Sequence, residues 1–214
     1  MRVHVVLALA VLVVVGALTL DMSGRATRTA GSNHTKSVVF TAVVPPRGTL
    51  CQSVSGLPSD AASVRLQIGS YGTLMPALDA RFLANNGDRV ASGQLAPGAR
   101  EGEVTIPLRQ VPHASSAARL CLYSHGSGRL AVGGEILPPG PWSANVNGRP
   151  QQGPVSLLYL RAKRESWWQM LGTLARRFHL GKAPFFGTWT LPLLAFLLLC
   201  VWIGALRLVT REMS

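Results

Sequence analysis

Between Val38 and Leu160 the apolar residues recur at every second position, as in Val64, Leu66 and Ile68 set against Arg65 and Gln67, or Leu78, Ala80 and Phe82 set against Asp79 and Arg81. A period of two is that of a half-buried strand, whose successive side chains point to opposite faces. Turn-forming clusters break the pattern at short intervals: Pro45-Pro46-Arg47-Gly48, Ser55-Gly56, Asn86-Gly87, Pro97-Gly98, His125-Gly126-Ser127-Gly128 and Pro138-Pro139-Gly140. Nine strands are expected, near 38–44, 49–54, 63–69, 77–84, 89–95, 103–108, 117–124, 129–136 and 155–160, forming a single β-sandwich or jelly roll over 38–160. Asn86-Gly87 is the dipeptide of a type I′ hairpin turn. Pro107 marks its strand as an edge, because proline has no amide for the ladder.

The ends differ. Val3 to Leu20 is an apolar run interrupted only by His4 and Thr19, and Trp189 to Val209 is a second with no charge before Arg207. Each is long enough to suggest a transmembrane helix. The expected organisation is therefore membrane-anchored and mainly β: an N-terminal signal anchor over 1–20, a polar tether over 21–37, the β domain, a basic juxtamembrane amphipathic helix and linker over 161–188, a C-terminal span over 189–209 and a tail over 210–214. A cleaved secretory signal is the alternative for the first run. This topology puts the β domain outside the cytoplasm and both termini inside. Six basic residues in 161–182 run against it by the positive-inside rule.

Cys51 and Cys121 are the cysteines of the β domain, and a pair in an oxidising compartment bridges. Cys51 shares its phase with Thr49 and Ser53, and Cys121 with Arg119 and Tyr123, so the bridge is expected on an outer sheet face. Cys200 falls in the second apolar run. In 161–188, helical spacing brings Trp167, Leu171, Leu174 and Phe178 to one face, with Trp168 beside them. Arg176 and Arg177 take the other face, Lys182 follows, and Trp189 enters the second run. This reads as a helix lying in a membrane interface and meeting anionic headgroups.

The net charge of +12 raises nucleic-acid binding, but the 12 basic residues of 21–160 are scattered among seven acids and no nucleic-acid motif appears, so no nucleic-acid partner is expected. No H-x-x-H, H-E-x-x-H, G-x-S-x-G or S-x-x-K pattern is present, and no catalytic residue, metal or cofactor is assigned. Trp142, in Pro138-Pro139-Gly140-Pro141-Trp142, is placed to stack on a sugar ring or to plug the end of the domain. Tyr123 and Arg119 are further candidates for glycan contact.

The stretches RESWWQMLGTLARRFHLGKAPFFGTWTLP, ARLCLYS and VASGQL, with the overall arrangement of the chain, resemble a group of uncharacterised actinobacterial integral membrane proteins with an N-terminal anchor, a β-rich ectodomain and a C-terminal transmembrane helix. The resemblance implies a link to envelope glycan or glycolipid assembly. The function expected is that of a non-catalytic membrane-anchored accessory protein, whose partner is a multi-span membrane glycosyltransferase or an envelope glycan. Its alternatives are a carbohydrate-binding domain acting alone and an extracytoplasmic hydrolase without a recognisable motif.

Overall fold

The computed structural model describes residues 2–109 and 118–172, together with isolated positions between 193 and 211. It divides into two compact units, Thr27–Arg164 and a second containing the flanking residues on both sides.

The first unit is mainly antiparallel β. Its strands are β1 (Ala26–Ser32), β2 (Val39–Val44), β3 (Thr49–Val54), β4 (Ala61–Gly69), β5 (Leu78–Leu83), β6 (Arg89–Leu95), β7 (Gly102–Arg109), β8 (Ala118–Ser124), β9 (Leu130–Gly134), β10 (Asn145–Val146), β11 (Arg149–Pro150) and β12 (Leu158–Glu165). All nine strands expected from the alternation are among them. One layer runs β1-β12-β4-β7, with β9 on β4 and β2 on β9, and the other runs β6-β5-β8-β3-β10-β11. The inner faces meet in one core, with Leu50, Phe82, Leu120 and Leu122 from the second layer against Val64, Leu66, Ile106 and Tyr159 from the first. The rings of Phe82 and Tyr159 lie 6.0 Å apart across the interface.

Strand β7 joins both layers. Up to Pro107 it pairs with β4, and at Leu108 and Arg109 it pairs with β6. The changeover comes at the residue that has no amide to give. Opposite this corner stands Gly93, where any Cβ would lie 2.2 Å from the Pro107 carbonyl oxygen, so the close approach excludes a side chain.

Several expectations are corrected. Residues 26–32 are strand β1 rather than tether: β1 pairs with β12, and the Asn33 side chain donates to the Val155 carbonyl and accepts from the Leu157 amide. The Asn33 amide donates to the Leu157 carbonyl at the end of the ladder where β1 finishes and β12 begins. The β5–β6 connection is not a two-residue type I′ turn. It spans Ala84 to Asp88, with Gly87 at φ 87° and Asn86 outside the left-handed region, and Asn86 Oδ1 accepts from the Asp88 amide. The asparagine side chain thus makes a local turn of its own.

The basic segment from Arg161 also departs from expectation. Arg161, Lys163 and Arg164 continue β12, and Arg161 is buried against the Asp60 carboxylate at 2.6 Å. A helical turn starts only at Trp167, capped reciprocally: Ser166 Oγ accepts from the Gln169 amide while Gln169 Oε1 accepts from the Ser166 amide. This is a capping box. Trp167 and Trp168 are exposed and Leu171 is half-buried. Leu174, Arg176, Arg177, Phe178, Lys182 and Trp189 lie outside the described residues.

The two-span topology is overturned. Among the described residues no helix is long and apolar enough to cross a membrane. Helix α1 runs over Arg2–Ser23. Its last turn carries Asp21 and Ser23, whose hydroxyl donates back to the Thr19 carbonyl. Of the run at 189–209, only isolated positions are described. The signal anchor, the membrane-anchored fold, and the membrane location with cytoplasmic termini are set aside with it.

Candidate functional site

The alternation that buries Leu120 and Leu122 turns Arg119, Cys121 and Tyr123 to the other side of the second layer, and register extends that face from strand to strand. Cys51 stands directly opposite Cys121, and the two are joined in a disulfide with Cα atoms 4.1 Å apart. The bridge closes a separation of 70 residues. It occupies the outer phase, beside the Thr49–Tyr123 and Ser53–Arg119 pairs.

On β5 the same face carries Asp79, Arg81 and Leu83, opposite Tyr123, Cys121 and Arg119 in turn. On β6 it carries Gln94 and Ser92. The register then shifts between Phe82 and Leu83, so that Leu83 faces Arg89 rather than Val90. That bulge brings Arg89 into phase with Ser92 instead of leaving it on the core side. On β7, Arg109 is opposite Ser92.

Two hollows lie on this face. The first, of about 320 Å³, is lined by Ser53, Ser55, Asn85, Arg119 and Trp142. Trp142 is 57% exposed, and the residues beside it are fixed. Ser143 is buried and its Oγ accepts from the Gly140 amide, the Ser143 amide donates to the Gly140 carbonyl, and the fully buried Ala144 donates to the Gly153 carbonyl. A large apolar ring is thereby held toward solvent by a loop anchored immediately after it. Flanking hydroxyl, amide and guanidinium groups offer both donors and acceptors.

The second hollow, of about 170 Å³, is lined by Asp79, Arg81, Arg89, Ser92, Gln94 and Arg109. The Arg81 guanidinium sits over the Tyr123 ring, 4.7 Å from its centroid, and 3.7 Å from Asp79. The Asp79 carboxylate is also 3.0 Å from His125 Nε2. Among the described residues no ion pair holds Arg89, Arg109 or Arg119.

Of the three residues expected to touch a glycan, Trp142 and Arg119 therefore share one hollow, while Tyr123 lies apart beneath Arg81. Ser53, Ser55 and Asn85 carry no motif and were not foreseen. The contribution of Arg89 depends on a bulge that alternation alone does not show.

No family model and no curated protein matches the chain. Among solved structures it is similar to PirA, at 13% identity with a TM-score of 0.27, over 47% of this chain and 97% of that one. It is similar to the enzymatically active domain of a bacteriophage tailspike protein, at 18% identity with a TM-score of 0.30, over 46% of this chain and 16% of that one. A carbohydrate-binding module of Clostridium stercorarium, solved in complex with cellobiose, aligns at 9% identity with a TM-score of 0.27, over 50% of this chain and 93% of that one.

Proposed function

We propose that this protein is a non-catalytic binding module that holds a saccharide in the hollow beside Trp142, as an accessory to an enzyme that builds or trims the same glycan. The supporting observation is the exposed Trp142 ring, carried on a loop whose backbone the Ser143 and Ala144 bonds anchor, and bordered by Ser53, Ser55, Asn85 and Arg119. A sugar ring has an apolar face and an equatorial belt of hydroxyls. A rigid indole on an anchored loop meets the first, and hydroxyl, amide and guanidinium groups meet the second.

Calorimetric titration of the purified, oxidised protein with a panel of soluble cello-, xylo- and galacturono-oligosaccharides tests the reading. At least one should bind, and Trp142→Ala should weaken it by about tenfold or more, a loss of ~1.4 kcal/mol or more. No binding by any member, or binding indifferent to Trp142, removes the proposal.

A further inference from the structure

The arginines of this face form a pattern. Arg119 and Arg89 stand on one rung, at β8 and β6, on either side of Leu83. Arg81 and Arg109 stand on the next, at β5 and β7, on either side of Ser92. With strands about 4.8 Å apart, each pair is separated by roughly 10 Å, and the four zigzag across the sheet with neutral polar groups between. Leu83 and Arg119 line the Trp142 hollow, and Leu83 stands opposite Arg89, which lines the other, so the two hollows flank one rung.

We propose that the ligand of this face is an anionic glycan, whose carboxylate or sulfate groups are taken by Arg81, Arg89, Arg109 and Arg119 while one of its rings lies on Trp142; this deepens the saccharide reading above and rests on it. Asp79 is the carboxylate of the hollow and is already engaged by His125 and Arg81. Arg89, Arg109 and Arg119 have no ion pair among the described residues, so with Arg81 sharing Asp79 the face is left net positive, and a polyanion relieves the repulsion. The planar fork of arginine matches carboxylate and sulfate in two-point hydrogen bonding, and Arg81 is pre-set for it by the Tyr123 ring beneath. Spacing selects the polymer: a nucleic-acid strand in a duplex carries a charge about every 3.4 Å, far denser than guanidiniums roughly 10 Å apart, whereas an acidic sugar alternating with a neutral one is charged at about that wider interval.

The test uses the full chain with four probes: a hyaluronan oligomer, in which an acidic sugar alternates with a neutral one, its full methyl ester, a keratan oligomer sulfated on alternate sugars and its desulfated form. The acidic form of at least one pair should bind at least about tenfold more tightly than its neutral counterpart, with affinity falling as salt rises. Arg89→Gln with Arg109→Gln should abolish most of that preference, while Lys36→Gln with Lys163→Gln, which removes equal charge elsewhere, should not. Equal binding of acidic and neutral forms, or equal loss in both double variants, overturns the anionic inference and leaves the Trp142 reading standing. A preference that survives Trp142→Ala but not the arginine changes overturns the Trp142 reading instead. Tighter binding of a single-stranded oligonucleotide than of either acidic glycan overturns both. Thermal melting confirms that each variant is folded.

Discussion

Tyr159 carries a cost that its neighbours do not offset. Its ring is almost fully buried against Phe82, yet among the described residues its hydroxyl has no hydrogen-bond partner. A buried hydroxyl without a partner costs roughly 1–3 kcal/mol. Tyr159→Phe removes the oxygen and keeps the ring, so the melting temperature should rise rather than fall. Burial also pushes the phenol above its ordinary value. A group that ionises less readily when folded favours the native state fully only below the unfolded value, near pH 10, and that contribution fades as pH climbs past it. The wild-type protein should therefore lose stability above about pH 10, and the Phe variant should lose less, which melting curves across that range would show. The sequence places Tyr159 at the end of the last expected strand. It does not show the want of a partner, because that depends on what the facing layer presents.

At the level of elements, strand positions were readable because apolar alternation and turn residues act locally. What was not readable depends on contacts distant in sequence. β1 is held by Asn33 against residues 155 and 157, and β10 and β11 are two residues each, too short for a period to register. The segment from Arg161 has the charge of an interfacial helix, yet the Asp60 carboxylate draws its first residues into a strand. The outer phase of Cys51 and Cys121 could be read from their neighbours, and the register agrees. This bridge ties two central strands. Replacing both cysteines with serine should lower stability by about 3 kcal/mol, less than the roughly 4 kcal/mol of the chain-entropy estimate because β3 and β8 remain paired. Chemical denaturation of the variant, with the oxidised protein as reference, measures it. A change below 0.5 kcal/mol would show that the strands alone fix the register, on the scale of ordinary surface substitutions at about that value.

For the whole molecule, the unit Thr27–Arg164 contains the core, both hollows and the disulfide. A fragment of residues 25–166 should fold alone, melting cooperatively and within about 5 °C of the same transition in the full chain, a shift equivalent to roughly 1 kcal/mol for a domain of this size. Broad melting or dye-binding by the fragment would show that the flanking residues are needed. Because β1 opens this unit and β12 closes it, and the Asn33–Leu157 bond marks the far end of their shared ladder, both ends of the chain leave from the same end of one pair of strands. The unit therefore meets mechanical load as a zipper rather than as a shear joint. Tension drawing the two exits apart would break β1 from β12 one pair at a time, at low force, with the Trp142 hollow still intact on the other layer. A chain pulled at both ends would lengthen before the face that carries Trp142 was disturbed.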